Sequence, residues 1–109
     1  MNGYSETGGL RCGESFWFAT HATWPFVTLN ATSEKIVINL SVIGIIKKQM
    51  EFAKGDIKAI VKKKGMLPFN TGIVIEHSKQ AYPPFVLFWT FGFGNLKQKL
   101  LELGFKVVD

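Results

Sequence analysis

The residues of this chain that could do covalent or metal chemistry are few and scattered. Cys12 is the only cysteine, and His21 and His77 are the only histidines. A nucleophile–base pair would need the thiol beside one imidazole, oriented by a third group. A zinc site would need about four ligands at short spacings. Neither pattern occurs, so the sequence predicts no catalytic residue, no metal and no cofactor, and ordinary surface or strand-end histidines are favoured.

The acidic residues give no stronger signal, because Glu51, Asp56, Glu76 and Glu102 are dispersed along the chain. A catalytic pair brought together by folding stays open, but solvated carboxylates and ion-pair partners are the favoured interpretation. The segment Gly92-Phe-Gly-Asn before a helix superficially resembles a phosphate loop. It lacks the third glycine and the Gly-Lys-Ser/Thr ending of that motif. We therefore expect a protein that is not an enzyme.

The lysines are the polar residues with most functional weight. Seven of them lie within residues 47–64, and the net charge of the chain is +5. Adjacent strands that gather these lysines on one exposed face could bind anionic lipid headgroups, at on the order of 1 kcal/mol per lysine, or an acidic protein. A structural alternative is that lysines on an edge strand discourage aggregation. Nucleic acid is disfavoured, because arginine is nearly absent and no RNA-binding aromatic motif occurs. The candidate anion-binding residues are Lys47, Lys48, Lys58, Lys62 and Lys64.

The aromatic residues indicate a different kind of surface. Ten phenylalanines and three tryptophans are many for 109 residues. Consecutive residues of a strand point to opposite faces, so three aromatic residues in a row cannot all face one core. We expect a remaining apolar strip that packs against a second copy of the chain or another protein. The candidate interface residues are Phe16, Trp17, Phe18, Trp89 and Phe91.

Length and composition set the frame for these candidates. A chain of 109 residues is expected to form one domain. We predict a flexible, glycine-rich lead-in over residues 1–13 and a single domain over residues 14–109. The lone cysteine favours a reducing compartment. No signal-peptide pattern or run of about 18–20 apolar residues occurs. We therefore expect a soluble, cytoplasmic protein, peripheral to the membrane if the lysine face binds lipid.

Short alternating runs separated by turn residues predict a mainly β fold. The clearest hairpin pairs residues 24–30 with residues 35–40. The run that follows contains a predicted break near Gly44. Further strands are predicted at residues 57–63, 66–69, 72–77 and 85–91. Six or seven such strands predict a curved antiparallel sheet or a small barrel.

One amphipathic helix is predicted over residues 95–103. Asn95 is the expected N-cap, and Gly104 is the expected residue just past the end. Leu96, Leu100 and Leu103 form an apolar stripe at helical spacing. This stripe must be buried, and the open end or face of the sheet is the surface that can bury it.

The order of these segments resembles a known superfold. An aromatic segment that begins at Phe16 leads into a Trp24-Pro25-Phe26 strand, and residues 34–38, 58–61, 72–75, 85–88 and 100–105 follow in matching order and spacing. Residues 15–108 are in this respect similar to the pleckstrin-homology (PH) superfold, specifically the bacterial PH-like and GRAM-like domains. The resemblance implies a bent antiparallel barrel of about seven strands, closed by one C-terminal helix.

The resemblance also implies a binding scaffold rather than an enzyme. PH domains that bind phosphoinositides carry basic residues across the first hairpin, whereas this hairpin offers only Lys35 beside Glu34. This departure argues against specific inositol-phosphate binding. We therefore expect a binding or assembly domain that acts through protein contacts or self-association. The alternative is peripheral binding to an anionic membrane through the lysine-rich face.

Overall fold

The computed structural model describes residues 3–14, 19–42, 45–64 and 71–109, with the backbone alone described at residues 19–23, 42 and 45–47. These residues form eight strands, one α-helix and one 3-10 turn. In chain order the elements are β1 (Tyr4–Gly13), β2 (Ala19–Ala31), β3 (Lys35–Val42), β4 (Ile45–Ala53), the 3-10 turn (Lys54–Asp56), β5 (Ile57–Lys63), β6 (Gly72–His77), β7 (Phe85–Trp89), α1 (Phe93–Glu102) and β8 (Val107–Val108).

The strands form one sheet in the order β4-β3-β2-β1-β7-β6-β5-β8. All described pairings are antiparallel except that of β5 with β8, so the sheet is mixed. The prediction of a mainly β fold with one C-terminal helix is confirmed for the described residues. The prediction of a closed antiparallel barrel of about seven strands is not, because β4 and β8 end the sheet without pairing to each other.

Strand β1 corrects the prediction of a flexible lead-in over residues 1–13. Residues 4–13 form a strand that pairs with β2 on one side and β7 on the other. Leu10 and Cys12 alternate toward the core and are each only 3% exposed. Two of the glycines that suggested flexibility, Gly8 and Gly9, have a packing role, because β7 approaches them closely. The folded unit therefore begins at β1 rather than at residue 14.

The predicted hairpin of residues 24–30 with residues 35–40 is confirmed. Strands β2 and β3 pair in a register that places Leu29 opposite Ile38, and both side chains are buried. Alternation continues along β2, where Val27 and Ala31 are also buried. The predicted break near Gly44 and the predicted strand at residues 66–69 lie outside the described residues.

The helix covers one face of the sheet with the predicted leucines. Leu96 and Leu100 are fully buried in the core cluster, whereas Leu103 is only partly buried against it. The helix begins earlier than predicted, with Gly92 as the N-cap. Asn95 is therefore not the cap, and its side-chain amide instead donates to the Tyr4 hydroxyl at 3.0 Å. Gly104 has a φ of +93°, which confirms it as the residue that ends the helix.

Strand β4 ends the sheet, and side chains of other segments make contacts beside it. The ring of buried Phe52 on β4 lies 4.7 Å from the ring of His77 and 5.2 Å from that of Tyr82. The Tyr82 hydroxyl accepts the Glu51 backbone N–H at 3.0 Å. An outward backbone donor of this edge strand is thus satisfied by a side chain, which blocks the addition of another strand there.

His77 holds the loop that presents Tyr82. Its Nδ1 accepts the Lys79 backbone N–H at 3.0 Å, so the proton of the neutral ring lies on Nε2. That nitrogen is 2.9 Å from the Pro83 carbonyl oxygen and donates to it. The predicted interpretation of an ordinary strand-end histidine agrees with these contacts.

Lys54 fastens the other end of the helix. Its ammonium donates to the Leu103 carbonyl oxygen at 2.8 Å and lies 4.6 Å from the centre of the Phe105 ring. A cation at a helix C-terminus meets unpaired carbonyls and the negative end of the helix dipole. Lys54 therefore has a structural role within the lysine-rich segment.

Replacing Leu100 with alanine is expected to lower the free energy of unfolding by about 2–5 kcal/mol, because it removes a fully buried side chain and leaves a cavity. Urea unfolding followed by circular dichroism measures the change. The matched control is Leu101→Ala, since Leu101 is 49% exposed on the same helix and should change stability by less than about 1 kcal/mol. Equal losses in both variants would contradict this packing of the helix.

Replacing Lys54 with methionine is expected to cost about 1 kcal/mol, because the aliphatic stem is kept while the bond to the Leu103 carbonyl is lost. The control is Lys58→Met at an exposed position of β5, with an expected change within about 0.5 kcal/mol. Thermal unfolding of the two variants measures both changes in stability. A Lys54→Met protein as stable as the wild type would show that Lys54 does not cap the helix.

Candidate functional site

The site begins at the place where β7 crosses β1. Phe88 points into the core and is fully buried, so Trp89 points to the opposite, outer face. Gly9 of β1 pairs with Trp89. A side chain at Gly9 would lie 2.2 Å from the indole ring, so the ring lies directly over the glycine. Because Gly9 has no side chain, the Trp89 ring can pack directly against its backbone.

Strand β2 bulges at the same place on the other side of β1. The register passes from Gly8 paired with Val27 to Leu10 paired with Ala22, so residues 23–26 lie opposite Gly9 alone. A bulge re-aims the side chains that it contains. Two of these side chains, Trp24 and Phe26, are 46% and 43% exposed.

Phe91 joins the two tryptophans. Its ring centre lies 5.6 Å from that of Trp24 at an interplanar angle of 65°, and 5.6 Å from that of Trp89 at 76°. Such edge-to-face contacts are favourable for aromatic rings. Phe91 nevertheless remains 51% exposed. We call Trp24, Trp89 and Phe91 the aromatic patch.

Positively charged side chains flank the aromatic patch along the sheet. Lys63 pairs with Gly72, and Gly72 pairs with Trp89, so Lys63 and Trp89 lie in one cross-strand row on the same face. Arg11 is two residues from Gly9 on β1 and therefore shares its face. Lys63 and Arg11 therefore lie on the same face of the sheet as Trp89.

The structure brings together part of the predicted interface. Trp89 and Phe91 are in ring contact, as expected for residues that share a face. Phe16, Trp17 and Phe18 lie outside the described residues. Sequence reasoning did not include Trp24 among the interface residues. Its alternation with buried Val27 and Leu29 was the available signal, because the residues of β2 that do not enter the core must face outward.

The predicted lysine face is divided between strands that do not pair. Lys48 lies on β4, and Lys58 and Lys62 lie on β5, whose paired neighbours are β6 and β8. Strand pairing therefore does not bring Lys48 beside Lys58 and Lys62, and a shared exposed face of these lysines stays a prediction. Lys62 lies 5.5 Å from the centre of the Phe93 ring of the helix, and Lys64 is exposed just after β5. Lys47 is described only by its backbone. Anion binding by these residues stays a prediction.

A second cluster of polar groups lies where the helix begins. Glu6 accepts hydrogen bonds from the Tyr4 hydroxyl and from the Thr90 hydroxyl. The Thr90 hydroxyl oxygen in turn accepts the Gly92 backbone N–H at 3.2 Å. This cluster ties β1 to the turn between β7 and α1. Its polar atoms are engaged with one another, so the arrangement stabilises the start of the helix.

Tyr4 has a perturbed acidity within this cluster. The pKa of Tyr4 is raised from 10.0 to about 12 by burial, which is the largest cause, together with the hydrogen bond to Glu6 and the negative charge of Glu6. Burial disfavours the charged phenolate, and a neighbouring carboxylate repels it. The protonated phenol is therefore the form that the folded protein prefers.

Cys12 also differs from its sequence-based description. The thiol is buried in β1 rather than placed in a mobile lead-in, and the Lys48 ammonium lies 3.8 Å from its sulfur. Among the described residues, no group of three or more His, Cys, Asp or Glu side chains is placed to hold a metal ion. No helix in that part of the chain is long and apolar enough to cross a membrane.

Comparison with known proteins adds no identification. The chain matches no protein-family model, and no curated protein sequence matches it significantly. The inference about function therefore depends on the geometry of the aromatic patch and of the surrounding sheet.

The raised pKa of Tyr4 predicts a specific loss of stability at high pH. The folded state holds the phenol proton of Tyr4 more tightly than the unfolded state does. The contribution of Tyr4 to the free energy of unfolding is therefore fully present below pH 10 and is lost as the pH rises from 10 to about 12. Spectrophotometric titration of phenolate should show a step near pH 12 that Tyr4→Phe removes. Unfolding measured across the same pH range should depend less on pH in that variant. A titration unchanged by Tyr4→Phe would contradict this prediction.

Proposed function

We propose that this chain is a non-enzymatic, PH-like binding domain that docks a protein through the aromatic patch. The observation that carries the proposal is the ring contact of Phe91 with both Trp24 and Trp89 while Phe91 and Trp24 stay about half exposed. Exposed aromatic clusters are costly in water and are typical of protein interfaces. The rigid sheet beneath the patch holds it ready for a partner.

Two features support the PH-like part of the proposal. A sheet of consecutive antiparallel strands joins its first strand to its seventh, and a single C-terminal helix covers the core with Leu96 and Leu100. A mainly antiparallel sheet and one C-terminal helix are two of the features that the sequence resemblance implies, whereas the closed barrel that it also implies is not found among the described residues. The resemblance also implies that such a scaffold binds rather than catalyses, and fold alone leaves the partner open.

The polar groups support a role in binding rather than catalysis. Glu6, Tyr4 and Thr90 bind one another at the start of the helix, and His77 uses both ring nitrogens to hold its loop. Lys54 caps the end of the helix. These side chains stabilise the fold. Phe91 and Trp24, in contrast, are about half exposed, so a large part of each side chain is not used in packing the core.

The test is the selection of binders from a random-peptide display library, with light scattering of the free protein in parallel. We expect the library to yield peptides, or the protein to self-associate. Either activity should be lost in the double variant Trp24→Ser, Phe91→Ser, because that variant removes the half-exposed apolar surface.

The matched control is Leu101→Ser, which removes an exposed apolar side chain of the helix outside the patch. Circular dichroism must show that both variants fold. Peptides or dimers that survive the double variant, or the absence of both activities in the wild type, would contradict the proposal.

A second candidate function is peripheral binding to an anionic membrane. The observation that favours it is a run of exposed lysines, Lys58 and residues 62–64, on β5 and just beyond it. Exposed Lys106 leads into β8, which pairs with β5. Lysines at such an edge would each contribute on the order of 1 kcal/mol near a charged bilayer. Cosedimentation with phosphatidylglycerol vesicles, compared with phosphatidylcholine vesicles, tests this candidate.

A further inference from the structure

His77 connects strand β6 to the edge strand β4 through side-chain contacts. It shares a face with buried Ile75, which lies two residues before it on β6. Its ring lies 4.7 Å from that of buried Phe52 on β4 and 6.5 Å from that of Tyr82. We call residues 78–84, between β6 and β7, the Tyr82 loop. The imidazole therefore contacts both the core and the loop that covers the edge of β4.

The Tyr82 loop is held by two hydrogen bonds that need a neutral His77 ring. The Nδ1 atom accepts the Lys79 backbone N–H at 3.0 Å, and Nε2 donates to the Pro83 carbonyl oxygen at 2.9 Å. One accepting and one donating nitrogen is the pattern of a neutral imidazole, whereas a protonated imidazole donates from both nitrogens and accepts at neither. Rotation of the ring gives no alternative, because either nitrogen of the imidazolium would direct an N–H at the Lys79 N–H.

Proton uptake by His77 therefore breaks one of the bonds that hold the loop. Two donors would face each other where Nδ1 now accepts the Lys79 N–H, and a buried donor without an acceptor is unfavourable. Movement of the loop away from the ring relieves this conflict. Imidazole side chains ordinarily change their charge between pH 5 and pH 8. The closed loop is thus the form expected at neutral pH, and the open loop is the form expected at mildly acidic pH.

The surrounding charges give the protonated ring no replacement partner in the closed loop. The charged side chains that flank these contacts are Glu51 of β4, Lys54 and Asp56 of the 3-10 turn, Lys58 of β5, Glu76 of β6 and Lys79 of the loop. Asp56 lies 4.0 Å from the Lys79 ammonium, and Glu51 lies 3.5 Å from that of Lys35. Glu76 is the neighbour of His77 on β6 and points to the opposite face. Among the described residues, both ring nitrogens bond to backbone atoms and not to a carboxylate.

Release of the loop removes the side chain that caps β4. The Tyr82 hydroxyl accepts the Glu51 N–H at 3.0 Å, and its ring lies 5.2 Å from that of Phe52. The Tyr82 backbone N–H donates to the Lys79 carbonyl oxygen at 3.5 Å, so a displacement of Lys79 is passed to Tyr82. We propose that His77 is a pH switch, in which proton uptake releases the Tyr82 loop and uncovers the edge of β4.

Hydrogen exchange measured by NMR tests the switch in the wild-type protein. The Glu51 amide should be protected at about pH 7.5, because the Tyr82 hydroxyl binds it. Its protection factor, which corrects for the intrinsic effect of pH on exchange, should fall as the pH is lowered to about 5.5. Uptake of one proton per opening limits this fall to about tenfold per pH unit. The His77 imidazole signals should titrate over the same range, while Leu29 and Ile38 of the β2–β3 hairpin keep their protection.

His77→Asn separates proton uptake from the bond to the loop. An asparagine oxygen can accept the backbone N–H two residues later, so it can hold Lys79 without titrating. At about pH 5.5 the Glu51 amide should therefore be several-fold better protected in this variant than in the wild type. The matched control is His21→Asn, which removes the other histidine and should keep the pH response of the wild type. Tyr82→Phe lacks the capping hydroxyl and gives the uncapped reference at every pH.

Several results would overturn the switch. One is a Glu51 protection factor that stays within about twofold while His77 titrates. A second is a fall in protection that Leu29 and Ile38 share, which would indicate unfolding of the whole domain. A third is a pH response that persists in His77→Asn or disappears in His21→Asn. A folded His77→Asn protein in which Glu51 is unprotected at both pH values would show that ring packing holds the loop, and not the bond to Nδ1.

Discussion

The fold depends on a pair of glycines at the centre of the sheet. A Cβ atom added at Gly8 would lie 2.0 Å from the Trp89 carbonyl oxygen and 2.8 Å from the Phe88 ring. A Cβ atom added at Gly9 would lie 2.2 Å from the Trp89 indole ring. Because neither residue has a side chain, β1 can approach β7 closely and join the two halves of the sheet. Phe88 then lies in the core on one face, and the Trp89 ring lies over Gly9 on the other. The same constraint therefore produces both the core and the candidate binding surface.

Polar side chains make hydrogen bonds at places in the fold where strand pairing provides none. Tyr82 accepts a backbone N–H of β4, His77 holds the loop that carries Tyr82, and Lys54 caps the helix. At the opposite end of the helix, Glu6 and Thr90 fix the turn that leads into it. The chain thus uses its less common polar side chains to fasten the sheet and the helix. Among the described residues, the aromatic patch stands apart because its exposed area exceeds what packing in this chain requires.

The elements that could be predicted from the sequence are those with strong local periodicity. The hairpin of β2 and β3 and the leucine face of the helix follow from apolar spacing alone, so both predictions are confirmed. Strand β1 was missed because its glycines are typical of flexible segments. In the structure Gly8 and Gly9 allow close packing against β7, a strand that is distant in sequence. The N-cap was misplaced because the turn at Thr90 and Gly92 starts the helix earlier than the Asn95 signal suggests.

The candidate site was only partly predictable for the same reason. Alternation along β7 indicates that Trp89 and Phe91 share a face, but it does not show that a bulge in β2 brings Trp24 to them. The lysine face was predicted from closeness in sequence, whereas strand order separates β4 from β5. Contacts between distant segments decide both cases, and local patterns carry little information about such contacts.

The central claim is that Gly9 seats Trp89 and thereby positions the aromatic patch. Fluorine NMR of protein labelled with 5-fluorotryptophan tests it most directly, since the chain has three tryptophans that single Trp→Phe variants can assign. In Gly9→Ala the Trp89 signal should shift strongly, and the Trp24 signal should shift with it through Phe91. In Gly55→Ala, where an added side chain meets nothing within 4 Å, all three signals should keep their positions. A folded Gly9→Ala protein with unshifted Trp89 and Trp24 signals would contradict the account.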